Sequence, residues 1–469
     1  MRTDVAVLGA GVAGLTAAWE LARAGVAVTV LDPAASPGGP VATGTVAGVT
    51  CDLGAESFLV RRPEMLDLLA AVGAGDDVVA PRAAAASVLR DGRRHDLPRR
   101  TLFGVPADPA GLAPLLRPDE VARAAAEVPF PVTADETVAE FVGRRLGRAV
   151  VDHVVDPLLG GVYAGGAGEL SAEATLPQLV EAVRGGRGLR EAVAGVLRGS
   201  GEAGGAPFAG LRGGVGRVPR LLVEGVRAAG GEVRLLSGAT GLSRAGGGWR
   251  VATATGALDA DAVVVATPAG VAGGLLRATV PAAADLLAGV RTADVAVVAV
   301  AVDAAALPDV AAGDSSGLLV PAVEGRARGL AVKAVTYASA KWSWIAEQDP
   351  ALVVVRASVG RAGDPAPARL PDRDLVSTVA ADLAVLLGGG TPLPVRDAVV
   401  QRWPGSLPQY AVGHAGMVRT VRAAVAAVPG LALAGNALAG VGLPACVATG
   451  REAAGAVQAH LTGEEATGQ

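Results

Sequence analysis

The sequence has few of the residues from which metal sites and disulfides are built. Its 469 residues include two cysteines and four histidines, and only 3% are aromatic. Cys51 and Cys446 lie far apart in the sequence, and no two histidines have the short spacing of ligands on one helical face. We therefore expect no metal ion, and the cytoplasm, where thiols stay reduced, is the simplest location.

Long apolar runs and an excess of basic charge are also missing. The apolar stretches 263–276 and 295–302 are well short of the roughly 20 residues that span a membrane. Asp4 interrupts the apolar N-terminus, and a net charge of -4 gives no electrostatic basis for binding nucleic acid. We expect no export signal, no transmembrane segment and no nucleic-acid partner, with membrane contact at most peripheral.

The chain does have apolar material and glycine, with 51% hydrophobic residues and 66 glycines. Apolar runs at 4–8 and 26–31 flank a segment of helical composition at 15–23, which predicts a strand, a helix and a second strand. Apolar spacing over 137–159 predicts an amphipathic helix, and the low-complexity stretch 185–206 predicts a mobile connection. Other strands are expected at 233–236, 249–253, 262–266, 295–302, 331–336, 353–359 and 431–434, and other helices at 63–72, 221–229 and after Pro444.

Segments that suit one nucleotide-binding domain occur at the start, in the middle and at the end of the chain. We therefore predict an α/β fold in which a discontinuous Rossmann-like domain comprises 1–60, 207–270 and 400–469. Residues 61–206 are predicted to form a helical insertion at the substrate entrance, and 271–399 an α+β substrate-binding domain with a mixed sheet.

Three glycines follow the first predicted strand in the pattern G-x-G-x-x-G. Gly9 permits the turn, Gly11 leaves room for a pyrophosphate, and Gly14 lets the helix pack closely on the strand. Asp32 ends the second strand, where a carboxylate can accept hydrogen bonds from a ribose and disfavours NADP. The pattern predicts a dinucleotide, either FAD or NAD.

Small-residue clusters beyond this motif favour FAD over NAD. They comprise Gly38-Gly39 and the segment 51–57. A flavin reaches away from the nucleotide fold and needs further points where the main chain can approach it closely. The alternative is that these are two ordinary glycine turns.

Four segments carry a more specific pattern. They are Asp-Leu-Gly-Ala-Glu-Ser-Phe at 52–58, Pro-Leu-Leu-Gly-Gly-Val-Tyr-Ala-Gly at 157–165, Leu-Arg-Gly-Gly at 211–214, and the stretch 435–454. With them the chain resembles, over nearly its whole length, the flavoprotein family of protoporphyrinogen and coproporphyrinogen oxidases. The resemblance implies FAD and the architecture of amine-oxidase-like flavoproteins. It places the FAD contacts at Gly9, Ala10, Gly11, Val12, Ala13, Gly14, Asp32, Gly39, Gly54, Ala55, Glu56, Ser57, Ala239, Trp403, Gly435, Val441, Gly442 and Leu443.

The resemblance also implies a tetrapyrrole substrate with peripheral carboxylates. Tyr163 and Leu158 lie in the segment that approaches the substrate cavity in the family, although Tyr163 could equally serve packing. Guanidinium groups bind carboxylates bidentately, which makes Arg90, Arg99 and Arg100 candidate substrate contacts. The alternative for these arginines is a solvated basic loop.

Two further residues have a functional and a structural interpretation. Lys341 is similar to the lysine near flavin N5 in amine-oxidising relatives, but it could also be exposed at the surface. His414 is better interpreted as a structural histidine. Since the cofactor supplies the chemistry, we assign no catalytic acid or base.

The reaction implied by the resemblance belongs to haem synthesis. We expect oxidation of coproporphyrinogen III to coproporphyrin III by successive hydride transfers to flavin N5, with oxygen as acceptor and peroxide as product. The negative net charge and the lack of a targeting segment favour this substrate over protoporphyrinogen IX. Further alternatives are an amine oxidase, which needs an aromatic cage, a carotenoid desaturase, or a non-catalytic flavin- or haem-handling protein. A ferrochelatase is an expected transient partner.

Overall fold

Helices and strands follow one another along most of the chain, and the computed structural model describes them within residues 2–82, 86–199, 206–388 and 393–463. The α-helices are Val12–Arg23, Pro63–Ala71, Pro118–Ala125, Val138–Leu146, Arg148–Val150, Asp156–Tyr163, Ala172–Thr175, Pro177–Arg184, Leu189–Gly199, Val218–Ala228, Ala269–Leu276, Pro281–Ala288, Pro308–Ala312, Ala322–Arg328, Ala338–Lys341, Ser343–Ala346, Asp372–Leu387, His414–Ala426 and Leu443–Thr462. The strands are Arg2–Leu8, Val28–Leu31, Thr43–Val46, Val49–Asp52, Phe58–Leu59, Val78–Val79, Ser87–Arg90, Arg93–Asp96, Thr101–Leu102, Val105–Pro106, Phe208–Leu211, Glu232–Arg234, Ala239–Ala245, Gly248–Thr253, Gly256–Val265, Thr292–Asp303, Gly317–Leu319, Val332–Tyr337, Leu352–Val359, Val395–Pro408 and Leu431–Leu433. Within these ranges, none of the helices has both the length and the apolarity to cross a membrane.

The first sheet joins the start, the middle and the end of the chain. Its parallel strands lie in the order Glu232–Arg234, Val28–Leu31, Arg2–Leu8, Gly256–Val265 and Leu431–Leu433. The buried apolar runs in these strands are typical of a parallel sheet covered by helices on both faces. The α/β class is therefore confirmed, and strands from all three predicted fragments lie in one sheet.

The second sheet has seven strands, most of them antiparallel to their neighbours. Their order is Val395–Pro408, Thr292–Asp303, Leu352–Val359, Val332–Tyr337, Gly317–Leu319, Ser87–Arg90 and Arg93–Asp96. The strand Val395–Pro408 crosses the domain boundary predicted at residue 400, and two strands of the predicted insertion 61–206 also belong to this sheet. The three-part division of the chain therefore stays a proposal, and its boundaries do not coincide with the ends of these strands.

The first and last long helices pack against each other with almost no space between their backbones. A Cβ atom added at Gly450 would lie 2.4 Å from the carbonyl oxygen of Ala13. Next to this crossing, Arg451 Nε lies 2.9 Å from Glu20 Oε1. The two ends of the chain are therefore in contact, as a cofactor site built from both of them requires.

The apolar spacing of 137–159 had predicted one helix, but the structure divides this segment into several. The helix Val138–Leu146 ends at Gly147, whose φ of +98° is a conformation that glycine adopts without strain. Helical structure resumes at Arg148, widens to a π-helical turn at Val151–Val155, and continues as Asp156–Tyr163. The apolar period was therefore correct, but the glycine turn that divides it was overlooked.

The prediction of a mobile connection at 185–206 is wrong for residues 189–199. Residues Leu189–Gly199 form a helix that buries Leu189, Ala192 and Val193 on one face. This spacing of three and four residues is a helical signal that the surrounding glycines concealed. Residues 200–205 of the predicted connection lie outside the described part of the chain.

The close crossing of the terminal helices can be tested with two glycines of one helix. We expect Gly450→Ala to destabilise the protein by about 1–3 kcal/mol, because the new methyl group has to displace the backbone at Ala13. In Gly455→Ala, whose Cβ would meet nothing within 4 Å, the higher helix propensity of alanine should stabilise the protein. Urea unfolding of the two variants measures both effects, and equal midpoints would contradict the close crossing.

Candidate functional site

The glycine turn after the first strand is formed as its sequence predicts. Gly9 has a φ of +110°, and a Cβ there would lie 2.6 Å from the carbonyl oxygen of Ala266. At Gly14, a Cβ would lie 2.0 Å from the carbonyl oxygen of Gly9. The packing of the chain itself therefore requires glycine at both positions.

At two other glycines, Gly11 and Gly442, the packing of the chain does not require the absence of a side chain. Gly11 and Gly442 precede the first and last long helices, with ordinary φ angles of -72° and -76°. A Cβ would meet nothing within 4 Å at Gly11, and at Gly442 only Pro444 Cδ at 3.8 Å. The free space at both positions lies beside a helix N-terminus, which attracts anionic groups such as a pyrophosphate. The turn therefore fits a dinucleotide that approaches the backbone closely.

Asp32 braces this turn from the neighbouring strand. Its Oδ2 accepts a hydrogen bond from Ala10 N at 2.6 Å, and its Oδ1 accepts one from Ala34 N at 2.8 Å. The carboxylate is partly exposed, and each oxygen can accept a second hydrogen bond. The predicted contact between Asp32 and a ribose stays a prediction, and bracing the turn is a role that the sequence alone did not reveal.

The segment that follows the second strand returns to the turn. Gly38 N donates to the carbonyl oxygen of Ala10 at 2.8 Å, and Gly39, with a φ of +57°, has open space where a side chain would be. A Cβ at Gly54 would lie 1.9 Å from the carbonyl oxygen of Pro40. These contacts bring the segments around Gly39 and Gly54 together beside the turn.

Glu56 connects this region to the second sheet. Its carboxylate pairs with Lys341 Nζ at 2.6 Å and with the guanidinium of Arg356, which also donates to the carbonyl oxygen of Gly54 at 2.6 Å. Burial alone would raise the pKa of Glu56, but Lys341 and Arg356 outweigh it and lower the pKa to about 2. Lys341 is paired rather than exposed at the surface. Arg356 was not singled out from the sequence. A single charged residue in the apolar strand Leu352–Val359 is a pattern that could have indicated it.

Trp403 and Ala239 are two further predicted FAD contacts, and each adjoins a segment described above. Trp403 Nε1 donates to the carbonyl oxygen of Leu53 at 2.9 Å, which fixes the main chain just before Gly54. Ala239 begins a strand two residues after Ser237, whose N–H donates to the carbonyl oxygen of Asp32 at 2.8 Å. Trp403 lies beside Gly54, and Ala239 follows the segment bonded to Asp32.

A hydrogen-bonded aromatic pair holds the loop before the last helix. The Tyr410 hydroxyl donates to the carbonyl oxygen of Asn436 at 2.5 Å and accepts from Gly440 N at 2.8 Å. His414 stacks on Tyr410 at 3.9 Å between ring centroids, and its Nε2 lies 2.9 Å from the carbonyl oxygen of Ala437. These contacts give His414 the structural role that was expected. Within the described part of the chain, no three His, Cys, Asp or Glu side chains form a group that could hold a metal ion.

Gly435, Val441 and Leu443 belong to the same loop and helix start. Gly435 N donates to Thr449 Oγ1 at 3.1 Å, and its φ of +127° favours glycine. Val441 packs against the buried cluster of the helical insertion, and Leu443 is the first residue of the last helix. The loop is thus attached to the last helix and to the insertion.

A row of residues across the middle of the second sheet is partly exposed. Neighbouring strands pair Gln401 with Val297, Val297 with Ser358, Ser358 with Ala334, and Ala334 with Leu319. All of them except Val297, which is 8% exposed, are only half-buried. The opposite face of this sheet is packed with buried apolar residues, so the row is a partly accessible part of the face that carries Arg356. We call these five residues the cavity row.

The helix Asp156–Tyr163 lies at one end of the cavity row. A Cβ at Gly161 would lie 3.5 Å from Leu319 Cδ2, so the helix contacts the row directly. Leu158 is half-buried, whereas Tyr163 is 6% exposed, with its ring 5.6 Å from that of Tyr410. Both substrate-cavity candidates are therefore on an element that adjoins the open face, and their contact with a substrate stays a prediction.

The candidate arginines differ from one another in their surroundings. Arg90 is buried and pairs with Glu120 at 2.7 Å, so it is neither a free cation for a substrate nor part of a solvated loop. Its strand joins the second sheet, which explains the burial. Arg99 and Arg100 are exposed, and for them both the substrate role and the solvated role stay open.

The glycine turn, the unobstructed helix starts at Gly11 and Gly442 and the partly exposed face of the adjoining sheet are together typical of a flavoprotein oxidoreductase. Residues 12–458 match the family described as flavin containing amine oxidoreductase. The chain therefore belongs to this family, and the predictions of FAD as cofactor and of an FAD-dependent oxidoreductase are confirmed.

Individual relatives place the chain more narrowly within the family. It is 36% identical over 464 residues to the coproporphyrinogen III oxidase of Mycobacterium leprae, covering 97% of this chain and 98% of the relative. It is 27% identical over 476 residues to the chloroplastic protoporphyrinogen oxidase 1 of Arabidopsis thaliana, covering 95% and 86%. A crystal structure from Exiguobacterium sp. 255-15, described provisionally as a protoporphyrinogen oxidase, has a TM-score of 0.83 at 29% identity over 98% of this chain and 99% of that one. The predicted resemblance to porphyrinogen oxidases is confirmed.

The glycine at the first helix N-terminus can be tested separately from the fold. We expect Gly11→Ala to unfold at the same temperature as the wild type when free of cofactor, but to bind FAD at least about tenfold more weakly, because the methyl group occupies the free space. Flavin content after purification and titration of the apoprotein with FAD measure the loss. The matched control Gly270→Ala, also with nothing within 4 Å of its Cβ, should bind FAD normally. Normal flavin binding by Gly11→Ala would contradict the assignment.

The Glu56 ion pairs should make stability depend on acid pH. A pKa lowered from 4.5 to about 2 means that their stabilising contribution is complete above pH 4.5 and is lost as the pH falls toward 2. We expect Glu56→Gln to cost about 3–5 kcal/mol at neutral pH, because it leaves Lys341 and Arg356 unpaired, and the difference from the wild type to shrink in that acid range.

Urea unfolding at a series of pH values measures this difference. Glu452→Gln removes an exposed pair with Arg422 and should change stability by less than about 1 kcal/mol. A Glu56→Gln protein that is as stable as this control at neutral pH would show that the pairs contribute nothing.

Proposed function

We propose that this protein oxidises coproporphyrinogen III to coproporphyrin III, with oxygen as the final acceptor. The observation that carries the proposal is the cavity row, which gives a partly accessible surface across the sheet that adjoins the cofactor region. A macrocycle of this size needs a broad surface, and the product of the oxidation is flat. The name of the Mycobacterium leprae relative, which matches along nearly the whole chain, supports the same substrate.

FAD supplies a two-electron acceptor when bound, so a six-electron oxidation takes three turnovers, each with peroxide as product. The protein then has to hold the cofactor, orient the macrocycle and exclude water. Backbone amides at Gly11 and Gly442 hold anionic parts of the cofactor. The ion pairs of Glu56 with Lys341 and Arg356 fix the loop around Gly54 against the sheet.

Tyr163 is a positioning residue in this proposal. Burial raises its pKa to about 12, so its hydroxyl stays protonated at neutral pH and does not serve as a base. Its ring packs on Tyr410, which in turn holds the loop before the last helix. A substrate that contacts Tyr163 is thereby placed relative to the cofactor.

The runner-up substrate is protoporphyrinogen IX. The similarity to the Arabidopsis and Exiguobacterium proteins favours it, because both are described as protoporphyrinogen oxidases. An amine oxidase is less well supported, because two of the three tyrosines, Tyr163 and Tyr410, are buried and packed on each other instead of forming a cage. A cytoplasmic location, peripheral membrane contact and a ferrochelatase partner stay predictions from the sequence.

Turnover of the two porphyrinogens by the purified holoenzyme tests the proposal. We expect coproporphyrinogen III to be oxidised with a kcat/KM at least about tenfold above that for protoporphyrinogen IX, a difference of about 1.4 kcal/mol. Porphyrin fluorescence and peroxide, both corrected for spontaneous oxidation, are the measurements. Bleaching of the flavin by porphyrinogen without oxygen distinguishes an enzyme from a binding protein. The reverse preference would favour the runner-up, and no rate above background with either substrate would exclude both.

A further inference from the structure

Lys333 is a buried lysine that has no acidic partner among the described residues. It is one of only two lysines in the chain, whereas 41 residues are Lys or Arg. Lys333 is 5% exposed, and its Nζ donates to the carbonyl oxygen of Gly360 at 2.7 Å. Burial, followed by the charge of Arg361, lowers its pKa to about 7. Within the described residues, no carboxylate forms an ion pair with this lysine.

Arg361 adds a second positive charge at the same place. One of its terminal nitrogens donates to the carbonyl oxygen of Val320 at 2.7 Å, and the other lies 3.0 Å from where a Cβ of Gly160 would be. The main attraction on Arg361 comes from Asp156. Burial raises the pKa of Asp156, and its Oδ1 accepts a hydrogen bond from Ala167 N at 2.8 Å.

Two basic side chains therefore lie close together in a largely buried place, and of the two only Arg361 is attracted by Asp156. Burying a charge without a partner costs free energy, and an ammonium can donate three hydrogen bonds, of which Lys333 uses one within the described chain. An anion from outside the chain would remove this cost. A carboxylate suits both groups, because it accepts hydrogen bonds from ammonium and guanidinium alike.

The place adjoins the cavity row. Lys333 immediately precedes Ala334 in its strand. Arg361 donates to the carbonyl oxygen of Val320, which immediately follows Leu319. Both basic residues therefore adjoin neighbouring residues of the row. Gly160, on the other side of Arg361, belongs to the helix that contacts Leu319. A carboxylate bound here would belong to a molecule that lies across the row.

We propose that Lys333 and Arg361 form a subsite that binds one peripheral carboxylate of the porphyrinogen. This inference rests on the proposed function and adds to it the residues that orient the macrocycle. It assigns carboxylate recognition to Lys333 and Arg361, whereas the sequence had suggested the arginines at 90, 99 and 100.

The test compares binding of an acid and of its neutral ester by the holoenzyme. The probes are coproporphyrin III and its tetramethyl ester, titrated with porphyrin fluorescence as the readout. We expect Lys333→Met and Arg361→Gln each to weaken binding of the acid about tenfold, the usual effect of losing a charge-assisted hydrogen bond, and to leave ester binding unchanged. The control Arg396→Gln, at an exposed arginine on the far edge of the same sheet, should bind both probes normally.

A thermal measurement separates this role from a purely structural one. Without porphyrin, Lys333→Met should unfold at a higher temperature than the wild type, because it removes a buried charge that has no partner. Coproporphyrin III should then raise the unfolding temperature of this variant less than that of the wild type. A structural lysine would give the opposite result, with Lys333→Met less stable and acid binding unaltered.

The outcomes distinguish this inference from the proposed function. Wild-type turnover of coproporphyrinogen III together with unchanged acid binding by Arg361→Gln and Lys333→Met would overturn the subsite and leave the proposed function intact. If Lys333→Met does not fold, Arg361→Gln alone decides. If the wild type neither oxidises a porphyrinogen nor binds the acid, the proposed function fails and the subsite fails with it.

Discussion

The crossing of the first and last long helices is the contact on which the cofactor site depends. Because Gly450 has no side chain, the last helix can lie against the backbone at Ala13, and the helix starts at Gly11 and Gly442 come from the same packed pair. A helix N-terminus attracts negative charge only within its first turn. Both starts can therefore act on one elongated anionic cofactor only if the helices are held this closely.

The second sheet supplies a broad, partly exposed face beside the nucleotide-binding fold. Its half-buried central row offers a broad face, and the bonds from Arg356 to Glu56 and Gly54 attach this face to the cofactor loop. Charges that a β-sheet would normally exclude are retained at Arg356, which pairs with Glu56, and at Lys333, which immediately precedes Ala334 of the row. The roles proposed for Arg356 and Lys333 rest on this placement in apolar strands, whereas Arg90 of the arginine-rich segment forms an ion pair and Arg99 and Arg100 are exposed.

The sequence predicted those features that local physics determines. The turn was predictable because its glycines follow a strand at a recognisable local spacing, and the apolar strands were recognisable from their composition. The helix Leu189–Gly199 was missed because its glycine-rich surroundings hid a short apolar period. The pairing of Glu56 with residues 285 and 300 positions later could not be predicted, because no local pattern specifies a contact over that distance.

The interleaving of the chain has a consequence for how the holoenzyme is made. The parallel sheet acquires its strand Leu431–Leu433, and the site its second helix start at Gly442, only from the final part of the polypeptide. A nascent chain on the ribosome thus carries the glycine turn long before it has the partner that completes the site. A flavin that contacts Gly442, as we predict, can be bound completely only after this last part of the chain has been synthesised.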